Sequence, residues 1–362
     1  MNSTLFLVAA LIPLSQDVGV EVLPAAPLIE RHRSHLSLQC DFRVWNGSSR
    51  PVSLTELVLL ERDGGGELIR RRFVDQNGTA PSIQTVTGGP LAADGMTHFF
   101  NPFHHFELDG SPAQLDFVFT FSSGAKTWSE TLSFDGEVYE TRTPLRLPMN
   151  GRLLVKDGHD FLSHHRRINW DHPGVQALGL EGNASRYAYD LVALGPEGEE
   201  MRSESGGHED SYTWGAPVVA PGPGRIVRVE NDAPDTVIRS GRIVPNPSVT
   251  TADMNSFAGN HVVIDHGNGE FSTLGHLRRG SVGVELEQVV KAGDLLGEVG
   301  LSGSVTHVHL HYQLQVGPSF LSDEGLPAAF ERYRLHRGST SIIATGVPAD
   351  TGDLVEHVGV GN

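Results

Sequence analysis

Thr306-His307-Val308-His309-Leu310-His311-Tyr312-Gln313-Leu314-Gln315 alternates apolar Val308, Leu310, Tyr312 and Leu314 with polar neighbours, the period of a half-buried strand. A strand over 306–315 projects His307, His309 and His311 from one face, with successive side chains ~7 Å apart. That spacing lets one imidazole bind a metal while the next addresses a ligand of the metal. The plain alternative is three solvated histidines on a polar face.

Two upstream segments bear on that choice. Arg186-Tyr187-Ala188-Tyr189-Asp190-Leu191-Val192 sets a carboxylate inside an otherwise apolar strand, where an ionised Asp is costly unless paired or metal-bound. Phe271-Ser272-Thr273-Leu274-Gly275-His276-Leu277 sets a His at a strand end, after the turn-rich Asp265-His266-Gly267-Asn268-Gly269. Asp190 could instead pair with an Arg, and His276 could be a satisfied core imidazole.

The chain around these motifs reads as mainly β. Its 362 residues suffice for two domains, and 42 Gly, 21 Pro and 7% aromatic residues favour short strands and turns over long helices. From 18 to 144, strands are expected at Val18–Leu23, Leu36–Trp45, Ser53–Arg62, Leu68–Val74, Leu115–Phe121 and Thr127–Phe134. Between them lie turn signals such as Asn46-Gly47-Ser48-Ser49, Asp63-Gly64-Gly65-Gly66 and Asp109-Gly110-Ser111-Pro112. The alternations Leu36, Leu38, Cys40, Phe42, Val44 and Leu115, Phe117, Phe119, Phe121 suit facing sheets with one core, an immunoglobulin-like β-sandwich. Phe99, Phe100, Phe103, His104, His105 and Phe106 read as an aromatic loop over the sandwich end rather than a binding patch. Proline-punctuated 141–148 marks the boundary, with a linker at 145–150, a second domain at 151–330 and an extension at 331–362 containing a strand over 341–347.

Charge and cysteine usage narrow the function classes. A net charge of −17 excludes a phosphate-neutralising nucleic-acid surface, and the short runs Arg70-Arg71-Arg72 and His165-Arg166-Arg167 read as solvated faces. The lone Cys40 cannot form an internal disulfide and reads as a small buried hydrophobe. Leu5–Leu14 is too short to span a bilayer and has the length of a signal-peptide h-region. Export is therefore expected, to the periplasm or the extracellular space, with no integral membrane segment.

From about Gly151 to Phe330 the residues resemble the lysostaphin and LytM zinc endopeptidases, metallopeptidase family twenty-three. Supporting stretches in the family's order are Gly215-Ala216-Pro217-Val218-Val219-Ala220-Pro221-Gly222-Pro223-Gly224, Gly259-Asn260-His261-Val262-Val263-Ile264-Asp265-His266-Gly267, and the hammerhead-like Val290-Lys291-Ala292-Gly293-Asp294-Leu295-Leu296-Gly297. The hammerhead also resembles biotinyl and lipoyl carriers. Lys291 precedes the glycine turn instead of sitting at a hairpin tip, and a carrier has no use for the histidines. The resemblance implies a duplicated-hybrid-motif antiparallel sheet and one Zn2+. It further implies Asp190 and His311 as zinc ligands, His276 and His309 as the catalytic pair, and peptidoglycan peptides as substrate.

The sequence departs from the family at Arg186, where a ligand His usually stands four residues before the Asp. An Arg cannot donate a lone pair to zinc. Either an upstream His completes the site or the domain is metal-poor and inactive, binding cell wall or regulating another hydrolase. His164, His165, His172 and His208 are the candidates. His165 is the choice, because the His164-His165 pair before Arg186-Tyr187-Ala188-Tyr189-Asp190 is similar to a family branch with a His-His loop in that place. A further alternative makes the N-terminal sandwich the functional part, as an adhesion or carbohydrate-binding module.

Overall fold

The computed structural model describes residues 18–359 except 109–111, 171, 181, 204–205, 240–241 and 245. The apolar run Leu5–Leu14 and the turn at 109–111 lie outside the described residues. The chain divides into two units, Met1–Tyr139 with Asn169–Asp171, and Glu140–Ile168 with His172–Asn362. Both are built mainly of antiparallel strands. Among the described residues no helix is long and apolar enough to cross a membrane.

In the first unit, Asp41–Asn46 is the middle strand between Val18–Leu23 and Met96–Phe100. A second sheet runs Lys126–Asp135, Gln114–Ser123, Ser53–Arg62, Leu68–Asp75. Alternation explains the join: Phe117 and Phe119, on one face of Gln114–Ser123, meet Phe42 of the other sheet at ring distances of 4.9 and 5.1 Å. Aromatic pairs at such distances add to the burial that drives sheet packing. Cys40 is fully buried in this core, as its place in the alternation implies.

Two expectations change here. The single strand over 36–45 is two, Leu36–Leu38 and Asp41–Asn46, in different sheets. Alternation reports which face is buried and is silent about the pairing partner. The aromatic stretch after Phe99 is likewise no mere loop: Met96–Phe100 and His105–Phe106 are strands, and Phe99, Phe103 and Phe106 are core residues.

The second unit is organised by an 11-stranded sheet whose centre runs Asn260–Asp265, Phe271–Leu277, Leu310–Gln315, Tyr189–Ala193, Arg152–Asp157. Tyr189, Leu191, Leu310, Tyr312 and Leu314 are fully buried apolar residues, and the centre of the sheet is covered on both faces. The proline-punctuated segment belongs to this unit and is no free linker. Leu145 and Leu147 are fully buried, and the Glu270 carboxylate accepts from Arg142 N, Thr143 N and Thr143 Oγ1 at 2.7, 2.8 and 2.6 Å. Residues after 331 extend the same sheet through Leu354–His357, Tyr333–Arg337 and Thr340–Ala344.

Candidate metal centre

The site starts from strand register. Asp190 is the direct cross-strand partner of His311, and Gly275 is its partner on the other side. Directly opposed residues share a face of the sheet, so the Asp190 carboxylate and the His311 imidazole meet, with Oδ1 and Nδ1 3.4 Å apart. Gly275 supplies no side chain to fill the space beside them.

His276 arrives by a local irregularity. Asn260 pairs with Leu277 and Val262 with Leu274, which leaves one extra residue in the strand Phe271–Leu277. The bulge is accommodated by a left-handed His276, φ 63°, a conformation that costs a non-glycine residue about 1–3 kcal/mol and re-aims its side chain. The ring then sits 4.9 Å from that of His309 and 5.6 Å from that of His311.

His309 and His307 lie just ahead of the strand expected to contain them. The regular ladder begins at Leu310, paired with Leu191. Upstream the backbone bends, with His309 Nδ1 bonded to the His307 carbonyl at 2.9 Å. His309 Nε2 faces Asp190 Oδ1 at 3.1 Å, and the His307 ring stacks on that of His309 at 4.4 Å.

The structure sorts the upstream histidines. His165 Nε2 is 3.5 Å from Asp190 Oδ1 and its ring 4.8 Å from that of His311. His164, much more exposed, lies tilted against His165 with ring centroids 4.0 Å apart and has Nε2 3.8 Å from Asp190 Oδ2. His172 is elsewhere, accepting from Gly174 N as the N-cap of the helix Pro173–Leu178. His208 packs on Trp214 beside Glu209. Ligand atoms of His165, Asp190 and His311 lie within 4.8 Å of one another, as do those of His276, His309 and His311.

Four imidazoles share one arrangement. His165 Nδ1 faces the Asp157 carboxylate at 2.7 Å, His276 Nδ1 the Ser302 carbonyl at 2.9 Å, His309 Nδ1 the His307 carbonyl at 2.9 Å, and His311 Nε2 the Gln313 carboxamide oxygen at 2.8 Å. For His276, His309 and His311 the hydrogen bond assigns the ring proton to the outer nitrogen, because only an N–H satisfies a carbonyl oxygen there; the His165 Nδ1–Asp157 contact is close but not directed as a hydrogen bond. In the neutral rings the inner nitrogens of His309 and His311 then present lone pairs toward Asp190, and His165 Nε2 joins them 3.5 Å from Oδ1. Accordingly Asp190 Oδ1 is buried with no well-directed hydrogen-bond donor, although these nitrogens surround it. A bare carboxylate facing lone pairs in the core is unfavourable, and either a proton on an inner nitrogen, which Asp190 favours at His309, or a cation relieves it. A cation at their meeting point removes the conflict, so the donor set fits a divalent metal with imidazole and carboxylate ligands.

Charge coupling follows the same map. Burial works to raise the Asp190 carboxyl, but His165 and His309 hold it well below the usual carboxylate range. Burial drives His276 well below the ordinary imidazole value and lowers His165. Burial opposes charge on His309 too, yet Asp190 beside it leaves its pKa raised. Burial pushes His307 down to about 4.

Sequence reasoning overlooked Asp157 and Gln313. Asp157 ends the strand Arg152–Asp157 and receives Ser163 Oγ, His164 N and His165 N at 2.6, 3.1 and 3.2 Å, which fixes the His-His loop. The sequence signal for Gln313 is its place in the alternation, two residues after His311 on the same face. The histidines and Asp190 open onto a cleft of about 240 Å³ walled partly by Phe257, Val305, Phe320 and Leu321. This is room for more than solvent alone.

Residues 206–321 match the model of peptidase family M23; the match includes His276, His309 and His311 and begins after His165 and Asp190. No curated protein matches the chain. Solved structures similar to it include the solution structure of lysostaphin, at 20% identity and a TM-score of 0.22 over 36% of this chain and 36% of that one. The chain thus spans about a third of that protein's length. A peptidase M23 from Pseudomonas aeruginosa is similar at 14% identity and a TM-score of 0.28, over 76% of this chain and 92% of its own. A zinc-containing peptidase from Vibrio cholerae is similar at 15% identity and a TM-score of 0.29, over 82% and 81%. The domain assignment rests on the family match.

Proposed function

We propose that the peptidase family M23 domain of this chain, matched over residues 206–321, is a zinc-dependent endopeptidase of the lysostaphin type acting on peptidoglycan peptides outside the cytoplasm. The single observation that carries the reading is the convergence of His165 Nε2, His309 Nε2 and His311 Nδ1 on the buried Asp190 Oδ1 at 3.5, 3.1 and 3.4 Å.

In this reading His165, Asp190 and His311 hold the metal, and His276 and His309 do the proton work. Zinc at such a site supplies Lewis-acid polarisation of the scissile carbonyl and a lowered pKa for water. Asp157 and Gln313 fix the rings of His165 and His311, so the ligand lone pairs need little reorganisation. The Ser302 and His307 carbonyls hold the Nδ1 protons of His276 and His309 and turn Nε2 of each toward the site, where His309 Nε2 lies 3.1 Å from Asp190 Oδ1. Between them these two nitrogens can take a proton from the attacking water, hydrogen-bond the developing oxyanion and return a proton to the leaving amine. Phe257 and Phe320 form part of the apolar wall of the cleft beside the reacting centre.

Peptidoglycan as substrate comes from the family resemblance, and export from the apolar run Leu5–Leu14. The test incubates full-length protein with purified cross-linked peptidoglycan and follows the release of new amines, with and without a chelator. Release that the chelator stops and zinc restores is expected, with a zinc content near one equivalent. Less than about a tenth of an equivalent, together with no release, favours the inactive relative that Arg186 in the usual ligand position would suggest.

A further inference from the structure

Arg186 is fully buried, and its Nε donates to Glu324 Oε1 at 2.7 Å. The other oxygen of that carboxylate, Oε2, accepts from Asn183 N at 2.9 Å. Asn183 continues the path, its Nδ2 donating to the backbone carbonyl of His165 at 2.9 Å and more weakly to that of Arg166 at 3.4 Å. Gly325 N returns to Asn183 O at 3.3 Å and closes the clamp. No room is left for slack: a Cβ on Gly182 would lie 2.5 Å from Glu324 Oε2.

We infer that Arg186, standing where a ligand would be expected, is instead the positioning residue for the replacement ligand. Through Glu324 and Asn183 it holds the backbone of His165, while Asp157 holds the His165 ring at 2.7 Å. A loop imidazole is otherwise a poor ligand, because its backbone freedom must be lost on metal binding. Held from both ends, His165 presents Nε2 toward Asp190 before any metal arrives. The departure at 186 and the recruitment of a loop histidine are then one adaptation: the buried guanidinium needs Glu324, and the Glu324 it holds anchors the loop that carries the new imidazole.

This inference rests on the zinc reading above, and the experiment separates the two. Zinc affinity of the full chain is measured by competition with a chromophoric chelator for wild type, Asn183→Ala, His165→Ala and the double variant. Asn183→Ala keeps the Arg186–Glu324 pair and removes the side-chain bonds to the His165 and Arg166 carbonyls. It is expected to weaken zinc binding about 10- to 100-fold and to add nothing once His165 is gone. The paired swap Arg186→Met with Glu324→Gln, which removes both members of that pair together, is expected to behave likewise. Wild-type affinity in Asn183→Ala, or an equal loss whether or not His165 is present, overturns the inference. A wild type that binds no zinc sinks the proposed function instead. The tether is still read then from the long-range 1H–15N signals of the His165 ring in metal-free protein. They are expected to shift and broaden in Asn183→Ala, and unchanged signals overturn it.

Discussion

Asp190 and His311 face each other across one antiparallel ladder, with Oδ1 3.4 Å from Nδ1. Because register fixes the pair, their separation is a property of the sheet and not of a mobile loop. Asp190→Asn keeps the shape and removes the charge. It is expected to abolish the zinc-dependent rise in melting temperature that a bound ligand gives the native state, with differential scanning fluorimetry at several zinc concentrations as the check. A rise equal to that of wild type would exclude Asp190 as a ligand.

Gln313 accepts from His311 Nε2 through Oε1 and donates from Nε2 to the Phe320 carbonyl at 3.0 Å. Gln313→Leu removes the acceptor that selects the His311 tautomer and is expected to reduce zinc affinity about 10-fold or more. Gln313→Glu retains an acceptor and should recover most of that loss. Equal affinities for wild type and Gln313→Leu would show that the carboxamide does not orient the ring.

Gly259 has φ +62°, and a Cβ there would stand 2.4 Å from the Ser302 carbonyl carbon. The same Ser302 carbonyl holds His276 Nδ1. Gly259→Ala combines backbone strain with a clash against main chain, and a loss of about 2 kcal/mol or more is expected in urea unfolding. Catalytic rate should fall with it, since the displaced carbonyl no longer fixes the His276 ring. An unchanged unfolding midpoint would refute the packing argument.

His266 donates from Nδ1 to the Pro223 carbonyl at 2.7 Å and accepts at Nε2 from Ser272 Oγ at 2.8 Å. Burial lowers its pKa below the unfolded value of ~6.5, outweighing the Pro223 bond that favours the charged ring. Below ~6.5 the unfolded chain takes up a proton that the native state refuses. This contribution is therefore complete above the unfolded value and is lost as pH falls from there toward the folded pKa, by at most about 1.4 kcal/mol per pH unit. Stability curves from pH 8 to 5 for wild type and His266→Gln should converge as pH falls; parallel curves would contradict the assignment.

Much of the architecture was legible because alternation is a local property. Val18–Leu23 and Ser53–Arg62 have the bounds their sequences suggest. The division of 36–45 between two sheets was not legible, since nothing local separates Leu38 from Asp41 by partner. The aromatic strands Met96–Phe100 and His105–Phe106 escaped notice for a related reason: consecutive Phe99 and Phe100 break the period that marks a strand.

The sequence by itself determined the chemistry on offer: a carboxylate in an apolar strand at Asp190, imidazoles at His276, His309 and His311, and an arginine at 186 that cannot serve a metal. Residue type fixes which atoms carry lone pairs and which carry protons. Only the tertiary structure decided which of His164, His165, His172 and His208 stand near Asp190, which nitrogen of each ring turns inward, and what Arg186 holds. Those outcomes depend on register, a bulge and contacts between residues more than a hundred positions apart, such as Arg186 with Glu324. Such pairings leave no trace in local periodicity, because their energy is realised only when distant strands close on one another.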